Sequence, residues 1–148
     1  MQNGTPGDVH PPQGSVQYAN IETTEKVPIH KITVAHDQGW SRNLVSKAAN
    51  GAPDLLVSNF SMAAHQHHPR HVHNNVGEVY YILDGRCRME VGDQAEWIGP
   101  GTAVYVPRGT PHCVDTAEEG VSLLVIYPQG DLDKINKEFV EPDSPHRY

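Results

Sequence analysis

A chain of 148 residues is long enough for one well-buried core and short of the length at which chains usually divide, so it reads as a single domain. With 37% hydrophobic and 20% charged residues, 13 glycines and 12 prolines, it describes a turn-rich globular protein and not a disordered one. The net charge of −7, with no basic cluster, argues against nucleic-acid binding, and no window approaches the roughly 18 apolar residues of a membrane span.

The first 15 residues are polar and rich in Pro and Gly, and are expected to form a tail; no basic start followed by an apolar stretch marks a secretory leader. The domain proper is expected over residues 16–128. Four short, partly β-branched segments bounded by Pro, Gly, Asn or Asp predict strands at Val16–Ile21, Ile29–Ala35, Asn43–Ala48 and Asp54–Met62. Glu78–Leu83 and Arg86–Val91 flank Asp84-Gly85, a dipeptide that tolerates positive φ, and together they predict a hairpin. Within Arg86–Val91, Cys87, Met89 and Val91 alternate with Arg86, Arg88 and Glu90, as a half-buried strand requires. A turn at Gly92-Asp93 leads to strands at Ala95–Ile98, Thr102–Val106, Pro111–Asp115 and Val121–Tyr127. Short strands at this spacing predict an all-β sandwich or barrel. In residues 129–148, Asp131 can cap a short C-terminal helix on which Leu132, Ile135 and Phe139 share a face, followed by an extended tail, EPDSPHRY.

Five histidines fall within nine residues: His65, His67, His68, His71 and His73. Side chains two apart on a strand share a face, so His71 and His73 can present two nitrogens to one ion, with Glu78 opening the next strand and His112 arriving from a later one. Three imidazoles and a carboxylate suit one divalent first-row ion, Fe(II), Mn(II), Ni(II), Co(II) or Zn(II), with positions open to substrate. Cys87 and Cys113 form no CxxC pair, which signals neither a disulfide framework nor a thiolate zinc site and suits a reducing cytoplasm.

These residues also carry a family resemblance. HVHNNVGEVYYILDG reads HxH, four residues, Glu78, six residues, Gly85; GTAVYVPRGTPHC reads Gly101, five residues, Pro107, Arg108, Gly109, two residues, His112. In this order, over residues from about 54 to 127, the two stretches resemble the paired motifs of the cupins. The resemblance implies a single jelly-roll β-barrel holding a metal through His71, His73, Glu78 and His112. The chain departs from the family pattern at His65, where a turn glycine is usual, and at Thr116, where asparagine is usual.

Cupins include dioxygenases, decarboxylases, lyases, isomerases, cyclases and plain binding proteins, so fold alone names no reaction. The expectation is a metal-dependent enzyme acting on a small organic substrate, dioxygenase-type oxidation first, a redox-neutral isomerase, lyase, decarboxylase or cyclase second, and a non-catalytic small-molecule or sugar-binding protein third. Tyr80 shares strand parity with Glu78, and either His65 or His67 is the expected mouth histidine; these three are the candidate catalytic residues, set against the plainer reading of a core aromatic and solvated histidines. Arg108, Tyr105 and Arg42 are weaker candidates for gripping an anion. A homodimer is expected, since single-domain cupins commonly pair.

Overall fold

Alternation along the later strands calls for two packed layers: Val121, Leu123, Val125 and Tyr127 are buried while the residues between them are half-exposed. The structure, a computed structural model, describes residues 18–140. Its strands are β1 Val27–Pro28, β2 Trp40–Val45, β3 Leu56–Met62, β4 His67–Val72, β5 Glu78–Gly85, β6 Cys87–Val91, β7 Gln94–Ile98, β8 Ala103–Val106, β9 His112–Asp115, β10 Val121–Tyr127 and β11 Glu138–Phe139. They form a six-stranded sheet, β1-β2-β3-β10-β5-β8, and a five-stranded sheet, β11-β4-β9-β6-β7. All pairings are antiparallel, as an all-β jelly roll requires. Phe60, Met62, Ile82, Met89, Val114 and Leu123 fill the space between the sheets. No helix among the described residues is long and apolar enough to cross a membrane.

Several expected elements take another form. Of the strand expected at Val16–Ile21, residues 18–21 are described: 18–20 have no regular structure, and Ile21 enters a turn closed by Thr24 onto the Asn20 carbonyl. Ile29–Ala35 is not a strand either. A 3-10 turn occupies Ile29–Lys31, and the Thr33 N–H and hydroxyl both donate back to the Ile29 carbonyl, at 3.0 and 3.1 Å, so a local hydroxyl bond competes with sheet pairing. The strand expected to run to Ala48 stops at Val45, because the Ser46 hydroxyl accepts from Ala49 N–H and caps a helix, α1, at Lys47–Asn50.

The Asp84-Gly85 hairpin is also corrected. β5 pairs with β10 and β8, whereas β6 pairs with β7 and β9, so the turn is a corner between sheets. Gly85 is required there: its φ is +78°, and a Cβ would stand 2.0 Å from the Gly120 carbonyl oxygen. The Gly92-Asp93 hairpin does form, pairing Val91 with Gln94. Asp131 caps as expected, but the C-terminal helix is one 3-10 turn, Leu132–Lys134; Phe139 lies instead on β11, opposite His71. The expected tails, residues 1–15 and EPDSPHRY, lie outside the described residues.

Candidate metal centre

The cluster is assembled by two strands and two strand ends. His71 on β4 stands directly opposite His112 on β9, His73 follows the end of β4, and Glu78 opens β5 in the other sheet. The two motif loops are tied together by a 2.7 Å bond from Gly109 N–H to the His73 carbonyl. All four side chains are buried, and one donor atom from each lies within 4.8 Å of the others.

Each imidazole is oriented through its second nitrogen. His71 Nδ1–H donates to the Pro69 carbonyl at 2.7 Å, His73 Nδ1–H to the Asn136 carbonyl at 2.7 Å, and His112 Nδ1–H to the Thr110 carbonyl at 2.9 Å. A carbonyl only accepts, so each bond fixes the tautomer that leaves a lone pair on Nε2. Glu78 Oε1 lies in close contact with His112 Nε2 and 3.5 Å from His73 Nε2. Yet His71 Nε2, His112 Nε2 and both Glu78 oxygens are buried without a hydrogen-bond partner in proper geometry. Leaving one such group unsatisfied costs about 1–3 kcal/mol, so several acceptors converging on one point fit a cation placed among them. Burial above all, followed by the neighbouring His68, Lys137 and His112, holds the His71 pKa well below its usual value, which keeps that ring neutral. For Glu78 burial alone would raise the pKa, but His112 and His73 outweigh it and keep the carboxyl ionised.

Around the cluster stand groups that can hold or pass a proton. Tyr80 packs edge-on against His112 with ring centroids 5.9 Å apart, and burial followed by the charge of Glu78 pushes its pKa well up, so the phenol stays neutral. The Tyr127 hydroxyl donates to His73 Nε2 at 3.2 Å. His68 lies with its ring centroid 4.6 Å from that of His71, and its Nδ1–H donates to Asp37 Oδ1 at 2.6 Å. Tyr80, Tyr127 and His68, each beside a histidine of the cluster, also line a cavity of about 360 Å³ that is otherwise walled largely by apolar side chains and by Lys137.

The histidine run is sorted by a bulge that sequence does not reveal. His67 pairs with Asp115 and His68 with Val114, but His71 pairs with His112, so between His68 and His71 β4 carries one residue more than β9. The bulge at Pro69-Arg70 reverses parity: His68 joins His71 on the inner face, while His67 turns to the other face and donates from Nδ1 to Asp115 Oδ1 at 2.6 Å. His65 is exposed, with φ +56°, in the left-handed conformation that explains the usual glycine at this position. The structure thus brings Tyr80 to the cluster and sets His65 and His67 away from it; the histidine that reaches the cavity is His68, with Asp37 behind it.

None of the three weaker anion candidates lines that cavity. Arg108 and Tyr105 are exposed, and Arg42 donates to Asn59 Oδ1 at 3.2 Å on the outer face of its sheet. Cys87 and Cys113 are free and buried. A second grouping, Glu90, Cys113 and Asp115, lies on the face opposite the cluster, where Arg88 and Arg70 already engage Glu90 and His67 engages Asp115.

Residues 59–127 match the family model of the cupin domain. Over 50 residues, 34% of this chain and 48% of the relative, the chain is 34% identical to an uncharacterized protein of Streptomyces coelicolor. The match therefore spans about half the length of that relative. Among solved structures, oxalate decarboxylase from Bacillus subtilis superposes with a TM-score of 0.68 at 19% identity, covering 85% of this chain and 32% of that one. The polyketide cyclase RemF from Streptomyces resistomycificus gives 0.69 at 22% identity, covering 86% and 89%. At these identities the likeness to the two enzymes is one of fold.

Proposed function

Because this chain belongs to the cupin superfamily, whose fold hosts many reactions, we propose from its site that it is a metal-dependent enzyme acting on a small organic molecule, with His71, His73, Glu78 and His112 as the ligands. The observation that carries this reading is the convergence of three oriented imidazoles and a buried carboxylate, of which His71 Nε2, His112 Nε2 and both Glu78 oxygens are not satisfied by the protein itself. A divalent first-row ion in that set supplies Lewis acidity and, where it is redox-active, activation of dioxygen.

The chain's own residues supply the rest. Apolar walls at Leu56, Phe60 and Val125 take up the body of a substrate and exclude water, while Tyr80 and Tyr127 present hydroxyl protons at the cluster end. His68 takes the role of mouth histidine: Asp37 fixes Nδ1–H, leaving Nε2 to accept a proton from substrate and return it. Dioxygenase-type oxidation is the first reading of the reaction. A redox-neutral lyase, decarboxylase or cyclase is the second, favoured by neutral phenols beside the cluster that serve proton transfer without an oxidant.

Two buried, free thiols suit the cytoplasm we assign it to. The homodimer is proposed on the common pairing of single-domain cupins, and a monomer by light scattering would remove it. Elemental analysis of protein purified without an affinity tag tests the whole reading. About one equivalent of a first-row metal is expected, and metal-free protein that takes up none on incubation would overturn it. Substrate turnover with and without oxygen then separates the first reaction from the second.

A further inference from the structure

Lys137 stands apart from the metal cluster and its proton-carrying neighbours, and its surroundings are unusual for a lysine. It sits between Asn136, whose carbonyl orients His73, and β11, and its half-buried side chain lines the cavity. Its ammonium lies 5.8 Å from the Phe139 ring centroid, and no hydrogen bond or ion pair satisfies it among the described residues. Lysine ammonium is strongly hydrated, and holding it partly withdrawn from water without an anionic partner favours a ligand that replaces the lost hydration. Burial lowers its pKa, while Asp37 and Glu78, the acidic groups that attract it, counter that effect. Asp37 is already engaged by His68 and Thr33, and Glu78 faces the metal cluster, so neither closes onto Nζ.

We propose that Lys137 is the specificity residue of this cavity and that it receives the carboxylate of an otherwise apolar, monoanionic organic acid. The inference deepens the proposed function and rests on it. Ile29, Leu56, Phe60 and Val125 are among the apolar side chains that line the same cavity, so the body of the ligand is mainly hydrocarbon. Ser41, Asn43 and Ser58 also line the cavity but are neutral and already hydrogen-bonded, Ser41 with Ser58 and Asn43 with Ser46, which leaves Lys137 as the one formal cation among the described lining residues apart from any protonated histidine. With a divalent ion bound, that ion and Lys137 together outweigh the carboxylates of Glu78 and Asp37, giving a locally positive site in a protein of net charge −7. A cavity of about 360 Å³ holds an acid of benzoate size with room to spare.

The probes are acetate, butyrate and benzoate, each against its neutral amide, titrated calorimetrically into zinc-loaded protein whose metal content is measured in every sample. Butyrate and benzoate are expected to bind wild type more tightly than acetate, and each acid at least about tenfold more tightly than its amide. Lys137→Met should lose about tenfold or more in acid affinity, keep its zinc and leave amide binding unchanged, whereas Lys137→Arg should retain the preference for acids. Side-chain resonances of Lys137 in the wild-type protein, followed as benzoate is added, give a readout independent of any substitution. Benzoate affinity unaltered by Lys137→Met, amide binding equal to acid binding, no acid bound at about 10 mM, or unmoved Lys137 resonances would each overturn the inference. If the protein takes up no zinc, the metal reading itself fails; if zinc is held and the carboxylate does not depend on Lys137, only this inference does.

Discussion

Three imidazoles present the same atom to one point because each has its other nitrogen bonded to a backbone carbonyl, and this makes their replacement a question of geometry as much as of charge. His73→Ala removes a donor atom and also frees the Asn136 carbonyl that positions the segment before Lys137. Metal content measured after dialysis is expected to fall from about one equivalent to near zero, and unchanged content would refute the ligand set. The neighbouring histidines should behave differently. His65 holds a left-handed φ of 56°, a conformation that costs a non-glycine residue about 1–2 kcal/mol, so His65→Gly should stabilise the fold without loss of metal. His67→Ala leaves Asp115 buried without its 2.6 Å partner and should destabilise by several kcal/mol, again with metal retained. Urea midpoints together with metal content decide all of these, and loss of metal in either of the last two variants would contradict the sorting of faces. Sequence exposed the four clustered residues because metal chemistry needs particular atoms at particular spacings. It did not expose His68, because strict alternation pairs His67 with His71, and the extra residue at Pro69-Arg70 that reverses the pairing is visible only against β9. Nor did it expose Asp37 or Lys137, which are distant in sequence and carry no motif.

Among the elements, alternation located most of the later strands to within a residue or two, since burial on one face is written locally. Which strand pairs with which is not local. Asp84-Gly85 has the composition of a hairpin turn, yet β5 finds β10 and β8, where Tyr80 and Ile82 are buried against Val125 and Leu123, while β6 turns into the other sheet. Gly85 carries that change of sheet, with a positive φ and the Gly120 carbonyl oxygen where a side chain would begin. Gly85→Ala should therefore be among the most damaging small substitutions, through strained backbone and a clash that backbone alone must relieve. A loss of about 2 kcal/mol or more is expected in urea unfolding, or failure to accumulate as soluble protein; stability within about 0.5 kcal/mol of wild type would show that the corner rearranges freely. At the early edge, Ile29–Ala35 looked like a strand from its β-branched residues, but the Thr33 hydroxyl closes onto Ile29 and brings Asp37 to His68. The turn that replaces the expected strand thus leads directly into Asp37, the residue that orients His68.

At the scale of the whole molecule, the site makes stability depend on pH in a direction that can be worked out. Burial, as the largest cause, holds the pKa values of His71 and His68 below their ordinary 6.5, with Asp37 only partly opposing it for His68. Above about pH 6.5 both rings are neutral in folded and unfolded chains alike, and they contribute no slope. As pH falls below that value the unfolded chain takes up protons that the folded chain refuses, so stability declines until the folded-state values are reached, by at most about 1.4 kcal/mol per pH unit for each group. Glu78 and Asp37 act in the same sense further down: burial opposes their ionisation, but their histidine partners hold both carboxyls low, and the stability they contribute is lost as pH falls past the unfolded values of 4.5 and 3.8. A bound ion adds stability by mass action, but its ligands must stay deprotonated, so its hold weakens over the same range. Urea unfolding of metal-free protein should therefore be nearly flat from about pH 8 to 7 and fall steadily from about pH 6.5 to 5, with the metal-loaded protein more stable throughout and its advantage narrowing toward the acid end. A metal-free profile that stays level down to about pH 5 would mean that the imidazoles at the centre are not held neutral by burial.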